Sequence, residues 1–349
     1  NGFILPSVST LKLMLTSYKT KPGYNKKLFQ RLQQKARTME EKEKKCILLF
    51  DEMDIKQDLQ FSKTSGEVLG FENMGEFGSR AVPAKHVLIL MARGIYCDWK
   101  LPISYYFTEN GVKAEVLEKI LKNYLLHLKE SGLEPLGVVC DQSTTNQKCF
   151  RLMGVTAEMP YFELNDEEFY CIYDVPHLLK SIRNNLMSGN YLLHEKIISW
   201  SFIEEVYILD KSSTIGRALV KLTDRHIKPN NFQKMSVRLA AQVFSQSVAA
   251  GIKTAVNSRQ LSVEATHTAD FIDAIDKLFD ALNSKFPWSK KPWNRPLADN
   301  NTDVTSALGK GSDIMSNLKK CTVKGKISTP PCFLGMIQSI RAIKMLHNV

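Results

Sequence analysis

From Cys46 to Phe50 every position is apolar, and the run turns polar at Asp51-Glu52. A continuous apolar run of this kind predicts a strand over 46–55 whose first half is buried on both faces. Upstream, Leu28, Leu32, Ala36 and Met39 recur at three- and four-residue steps among Lys, Gln and Glu. That period predicts a helix over about 25–45 with one apolar stripe. The start of the chain is apolar at Phe3-Ile4-Leu5-Pro6 and again around Leu11, Leu13, Met14 and Leu15. After Asp54, Lys63-Thr64-Ser65-Gly66 carries turn chemistry and leads into Glu67–Phe71, the expected second strand of a hairpin. His86–Cys97 predicts a third strand that runs on past Trp99, and short connections make the three antiparallel.

The period then changes. Leu117, Ile120, Leu121, Tyr124, Leu125 and Leu128 share one face of a helix over about 113–130, which Gly132 ends. Leu136–Cys140 reads as a strand stopping at Asp141, followed by a short helix over about 145–153. Phe169–Tyr173 reads as another strand, stopping at Asp174, and Pro176 sits in the first turn of the next helix, where a missing N–H is harmless. Three antiparallel strands followed by strand–helix alternation predict a mixed α/β sheet. Beyond 190 strands are expected to disappear: 196–209, 213–223, 234–253 and 268–283 favour helices, 286–302 reads as a loop, and 334–347 as helical. The expected division is a basic helical segment 1–45, a sheet domain 46–195 and a helical domain 196–349.

Charge sharpens this layout. The chain carries 47 Lys+Arg against 36 Asp+Glu, formal net +11. Residues 1–45 hold eleven Lys/Arg and three Glu, and residues 211–260 hold nine Lys/Arg against Asp224 alone. Basic stretches flanking a near-neutral centre fit a polyanion partner, although solvated helix faces would look the same. The seven cysteines form no C-x-x-C pair, which argues against a zinc site or disulfide framework and for a reducing compartment. No apolar run approaches membrane-spanning length, so no membrane partner is expected. The chain begins at Asn1 rather than Met, so a preceding segment is expected.

Two carboxylates stand at the ends of apolar runs, Asp51 after Ile47–Phe50 and Asp141 after Leu136–Cys140. A buried unpaired carboxylate is costly, so such residues belong at a cleft. If their strands lie side by side, two mutually repelling carboxylates call for divalent cations, Mg²⁺ or Mn²⁺, the usual solution for phosphodiester chemistry. Asp54 is a rival to Asp51 and points to the opposite pleat face, and strand-end solvation or turn capping is the bland alternative for each. Asp174 suits a helix N-cap. His177, Lys180 and Asn184 follow it at helical spacing and either line the cleft or touch phosphate, and for His177 a satisfied helix-terminal histidine is the bland alternative.

Taken together, Phe50-Asp51-Glu52-Met53, Gly70-Phe71, Cys140-Asp141-Gln142 and Asp174-Val175-Pro176-His177-Leu178-Leu179-Lys180-Ser181-Ile182-Arg183-Asn184 resemble the P-element-type DNA transposases, a group that includes the THAP-domain transposase-derived proteins. Leu222–Ile227, Lys234–Ser245 and Phe279-Asp280-Ala281-Leu282-Asn283 extend the resemblance over nearly the whole chain. It implies an RNase H-like catalytic domain interrupted by a helical insertion that binds GTP, a cofactor for assembling the protein–DNA complex rather than a phosphoryl donor. Asp51 and Asp141 match the first two catalytic, metal-binding carboxylates of an Asp-Asp-Glu set. Asp280 and Asn283 match a D-x-x-N element facing guanine, and Lys234 and Val237 lie in a second segment near the nucleotide. No G-x-x-x-x-G-K-[ST] loop is present, so the GTP site follows from the resemblance alone. The implied partners are transposon-end and target DNA and a second copy of the chain, and the implied location is nuclear.

Two departures accompany the resemblance. The family's third carboxylate follows the insertion and is not expected before Val349, and the amino-terminal zinc-binding THAP module is not expected, because no C-x₂₋₄-C motif occurs. The alternative reading is therefore a domesticated DNA- or nucleotide-binding protein that keeps the fold and has lost cleavage.

Overall fold

The computed structural model describes residues 7–10, 21–63, 66–284, 286–322 and 324–348. The apolar stretches at 3–6 and 11–15 and the Thr64-Ser65 part of the expected turn lie outside the described residues. In chain order the elements of the first part are α1 (Lys26–Ala36), α2 (Glu41–Lys44), β1 (Lys45–Asp54), β2 (Gln60–Ser62), β3 (Glu67–Leu69), β4 (Phe71–Asn73), β5 (Ser79–Pro83), β6 (His86–Gly94), β7 (Lys100–Thr108), α3 (Ala114–Glu130) and β8 (Glu134–Cys140). There follow α4 (Thr144–Leu152), β9 (Tyr161–Leu164), β10 (Glu167–Tyr173), α5 (Val175–Met187), β11 (Asn190–Leu193) and β12 (Lys196–Ile198). The helical stretch holds α6 (Trp200–Lys211), α7 (Asp224–Ile227), α8 (Asn231–Lys234), α9 (Val237–Val243), α10 (Gln246–Asn257), α11 (Ala265–Leu282) and α12 (Thr302–Asn317). It closes with β13 (Lys319–Cys321), β14 (Ile327–Ser328) and α13 (Pro331–His347). One large mixed sheet has the strand order β5-β4-β7-β6-β1-β8-β10-β9. The chain divides inside β8 into two compact units, Asn1–Val138 and Val139–Val349.

In the first unit the apolar half of β1 lies in the core. Cys46, Leu48 and Phe50 are buried, whereas Asp51 to Asp54 are exposed. Strand β6 pairs antiparallel with β1 in a register that sets Phe50 opposite Leu90 and Asp51 opposite Ile89, and β7 pairs antiparallel with β6. The expected single strand past Trp99 is thus two strands. The chain turns at 95–99, where Gly94 N–H donates to Trp99 C=O at 3.0 Å and Trp99 Nε1 donates to Glu43 C=O at 2.9 Å. A Cβ on Gly94 would collide with the Trp99 indole and Cys97 C=O. Helix α3 buries the six apolar residues that its period marks, and the chain leaves it through Gly132 at φ +80°, left-handed backbone that glycine takes without strain. The helix expected over 25–45 breaks after Ala36. It restarts as α2, where the Glu40 N–H donates to the Glu43 carboxylate at 2.9 Å in a capping box.

In the second unit the Asp174 N–H donates to the Cys140 C=O at 2.7 Å, which sets the end of β8 beside the end of β10. Helix α13 covers β10: the buried Ser339 Oγ accepts from the Tyr173 N–H at 2.9 Å and donates to its C=O at 3.1 Å, and Gln338 Nε2 donates to the Cys171 C=O at 3.1 Å. The expectation that strands disappear beyond 190 is overturned. A second sheet, β12-β11-β13-β14, joins residues 190–198 to 319–328. Its strands are only two to four residues long, too short for a period-2 signal. Helix α6 begins at Trp200 rather than 196 because β12 precedes it and Ser199 caps it. The helix expected over 213–223 is absent. The span expected as one helix, 234–253, is three elements, with Ser236 capping α9 and a break at Phe244-Ser245 before α10. Phe244 turns inward there. Phe271 meets Phe244 edge-on at 6.0 Å and Tyr191 at 5.7 Å, and Tyr191 meets Phe333 at 5.1 Å. The cysteines are free thiols, with Cys46, Cys140, Cys149, Cys171 and Cys332 buried as small hydrophobes. Among the described residues no helix is long and apolar enough to cross a membrane.

Ser339→Ala should leave the Tyr173 N–H buried without an acceptor and lower stability by about 1–3 kcal/mol. Urea unfolding and hydrogen exchange at the Tyr173 amide test this. An unchanged midpoint together with unchanged exchange would remove the bridging role assigned to Ser339.

Candidate functional site

Each acidic candidate is held by its own unit. In the first, β1 runs through Asp51 to Asp54, so Asp51 lies within the strand rather than at its end, beyond the last core residue Phe50. Asp51 is exposed, and its Oδ1 accepts from the Glu52 N–H at 2.9 Å. The rival Asp54 sits directly opposite His86, whose Nδ1 lies 2.8 Å from its Oδ1. Glu52, which sequence reasoning passed over, has its carboxylate tucked under the 108–112 turn. There it accepts from Val112 N–H at 3.2 Å and Thr108 Oγ1 at 3.3 Å. Partial burial pushes its pKa up, the Asp51 charge adds to that push, and the hydrogen bonds and His86 offset only part of it.

In the second unit Asp141 follows β8 directly. Its Oδ1 accepts from the Ser143 N–H at 3.1 Å and from Asn146 Nδ2 at 2.7 Å. Ser143 is at the same time the N-cap of α4, so the helix start orients the carboxylate. Asp174 caps α5 as its position suggests, accepting from the His177 N–H at 3.1 Å. His177 Nδ1 lies 2.6 Å from Asp174 Oδ2. That contact raises the His177 pKa; burial and Lys180 work against it, and the Asp174 and Asp141 charges reinforce it. Asp141, Asp174 and His177 thus form one electrostatic cluster at the ends of two strands. Asn146 is the contributor that sequence reasoning missed; its signal was an amide five residues after Asp141, one turn into a capped helix.

Strand β8 is the neighbour of β1 in the sheet order. Carboxylate oxygens held by backbone and amide donors are hard ligands suited to Mg²⁺ or Mn²⁺. The donors therefore fit in kind. In number they fall short, because among the described residues no group of three or more His, Cys, Asp or Glu side chains is arranged to hold a metal ion.

The four nucleotide candidates fall at two places. Lys234 ends α8 and is exposed, and its C=O accepts from Arg183 Nη2 at 2.8 Å and Asn184 Nδ2 at 3.1 Å. Val237 opens α9 behind the Ser236 cap. Asp280 and Asn283 lie at the C-terminal end of α11, with Asn283 as its C-cap. Asp280 Oδ2 accepts from Lys291 Nζ at 2.7 Å and Trp293 Nε1 at 3.3 Å. One turn earlier, burial raises the pKa of Asp276 against the pull of Lys291, whose Nζ lies 3.5 Å from Asp276 Oδ2. Asp276, Lys291 and Trp293 were not singled out by the sequence, although aspartates four apart on one helix face were there to be read. A cleft of about 370 Å³ in the first unit, over β6 and β7 between Lys21 and Phe107, contains none of the acidic candidates.

Residues 20–154 match the TNP-like RNase H N-terminal domain, and residues 176–296 match the TNP-like GTP-binding insertion domain. The chain is similar to the transposable element P transposase of Drosophila melanogaster, at 27% identity over 90% of this chain and 40% of that protein. It is also similar to the DNA transposase THAP9 of Homo sapiens, at 24% identity over 99% of this chain and 39% of that protein. It therefore spans about 40% of the length of these curated relatives. Its fold matches the Drosophila P element transposase strand transfer complex with a TM-score of 0.80 and 24% identity, over 99% of this chain and 73% of that chain.

The His177 pKa lies above its ordinary 6.5 in the folded protein. Its contact with Asp174 therefore contributes fully to stability below pH 6.5 and fades as pH rises through the folded pKa. Imidazole NMR titration should show the raised value, and Asp174→Asn, which keeps a capping side chain, should return it toward 6.5. An unchanged titration in that variant would assign the shift elsewhere.

Proposed function

Because the chain belongs to the P-element-type transposase family, we propose that it forms the nuclease and GTP-binding region of a DNA transposase, which cuts DNA at transposon ends and joins a 3′-hydroxyl to target DNA. The observation that carries this reading is the order of two domain matches, 20–154 and then 176–296, with Asp51 on β1 and Asp141 directly after its sheet neighbour β8. Asp51 and Asp141 are the residues that would hold Mg²⁺ or Mn²⁺. When bound, such ions lower the pKa of an attacking water and stabilise the leaving oxygen.

The chain's own residues prepare that chemistry. Ser143 and Asn146 fix one oxygen of Asp141 and leave its remaining lone pairs for a cation. Asp174 holds the ring of His177 in place beside this cluster. In the helical part, Asp280 is the guanine-reading residue, with Asn283, Lys234 and Val237 as further contacts, and GTP acts in assembly rather than as phosphoryl donor. A guanine edge would compete with Lys291 and Trp293 for the Asp280 carboxylate. The same reading assigns 1–45 to a basic helical segment, 46–195 to the RNase H-like domain and 196–349 to the insertion. It also implies homo-oligomeric assembly on DNA in the nucleus.

One observation favours a second reading, a domesticated DNA- or nucleotide-binding protein without cleavage: no metal-holding group of three side chains occurs among the described residues. Mn²⁺ binding followed by electron paramagnetic resonance separates the two. The first predicts binding that weakens at least about 10-fold in Asp51→Asn and in Asp141→Asn, a loss of ~1.4 kcal/mol. DNA retention without any Mn²⁺ binding would leave the second. For the nucleotide, titration of fluorescent GTP and ATP should show a preference for GTP. Asp280→Ala should weaken GTP binding by about 10- to 100-fold, the ~1.5–3 kcal/mol typical of hydrogen bonds to a charged group. Equal weak binding of both nucleotides by both proteins would remove Asp280 from this role.

A further inference from the structure

The small sheet of the second unit ends in a hairpin of unusual charge. Between Lys319 and Ser328 the β13–β14 hairpin carries Lys319, Lys320, Lys324 and Lys326 and no acidic residue. Pairing with β11 fixes it in place, with Lys320 opposite Tyr191 and Lys319 opposite Leu192. On the other side of β11, β12 brings Lys196 into the same sheet. Across these four strands and their turns the sole acid is Glu195. Lys196, Lys319, Lys324 and Lys326 are exposed, and Lys320 is half-buried.

Two of these ammonium groups, those of Lys319 and Lys320, have neutral partners. Lys319 Nζ donates to Thr329 Oγ1 at 3.0 Å, and Lys320 Nζ donates to Asn185 Oδ1 at 2.9 Å and Ser188 Oγ at 2.7 Å. Like charges so gathered repel, and the arrangement becomes favourable when a polyanion supplies the countercharge. The sheet is also anchored on one face. The face that carries Tyr191 and Ile198 is buried, and Tyr191 OH donates to the Ile182 C=O at 2.6 Å. The opposite face presents Lys319 with the exposed Ile197 and Ile327. Lysine ammonium groups meet phosphate oxygens as point charges and read no sequence. A two-stranded ribbon has the dimensions of a DNA groove. Two isoleucines are too small an apolar area for a membrane anchor.

We propose that the β13–β14 hairpin, through Lys319 and the turn residues Lys324 and Lys326, is a contact surface for the sugar-phosphate backbone of duplex DNA. This assignment rests on the reading of the chain as a DNA-acting transposase, and it adds a specific surface that neither the acidic cluster nor the nucleotide residues provide. Its contribution is affinity and register on the duplex, without base preference.

The test uses the full chain and a fluorescent 20-base-pair duplex of arbitrary sequence, with anisotropy titrations from 50 to 200 mM KCl. The triple variant Lys319→Gln/Lys324→Gln/Lys326→Gln replaces exposed residues only, and its thermal melt should match that of the parent. The proposal expects the slope of log affinity against log salt to fall by about 2–3, near 0.9 for each phosphate no longer neutralised. It expects the corresponding triple Lys→Arg variant to restore binding. If the parent binds DNA and the Gln variant binds with the same slope, the hairpin assignment is overturned while the transposase reading stands. If the parent does not bind DNA at all, both fail. If the Gln variant loses binding to phosphatidylserine vesicles but not to DNA, the surface belongs to a membrane and the proposal is overturned.

Discussion

A buried guanidinium, held by amide and carbonyl oxygens among the described residues, organises the second unit. Arg183 on α5 is fully buried, and burial lowers its pKa. Its Nε donates to Asn184 Oδ1 at 2.7 Å, and its Nη2 donates to the Lys234 C=O at 2.8 Å and the Gln233 C=O at 3.4 Å. The charge is met by carbonyls at the C-terminal end of α8, where the partial negative charge of a helix collects. Nη1 is buried without a hydrogen-bond partner, so the desolvation cost is only partly offset. An arrangement this costly persists when it fixes something. Here it fixes the backbone that leads from Lys234 to Val237 onto α5, whose other end is capped by Asp174 beside Cys140. One helix of thirteen residues therefore spans from the acidic cluster to the segment proposed to approach nucleotide.

Much of this was legible in residue order, and the reasons divide by element. Helix α3 was readable because six apolar residues keep a 3.6-residue period from Leu117 to Leu128 and a glycine closes the helix. Asp174 was readable because its side chain, followed by Pro176, has one good job at a helix start. The position of Asp51 was only half readable. The change from apolar to polar marks where the core ends, but β1 continues in pairing to Asp54. Strand pairing is a backbone property, and polarity alone does not stop it.

What stayed hidden depended on partners far away in the chain. The turn that separates β6 from β7 is held by Trp99 reaching back to Glu43, an interaction that no local pattern announces. The strands β11 to β14 are short and exist because each is completed by another, 190–193 by 319–321. The break at Phe244 comes from a ring drawn into the Phe271–Tyr191–Phe333 cluster, which overrides the helical preference of the sequence around it. Likewise, Lys291 and Trp293 lie in an irregular stretch and gain meaning only from Asp280 on the helix before them.

The pairing of β11 with β13 has a consequence for how this architecture tolerates change. Leu192 and Lys319 are neighbours across a ladder although 127 positions separate them. The chain therefore departs into the helical block and returns from it at almost the same point in space. A loop anchored this way can lengthen, shorten or be replaced with little strain on the strands that frame it, since closure entropy grows only slowly with length. The helical block is in that sense a cassette, free to diverge in sequence and size while the sheet carrying the carboxylates keeps its shape.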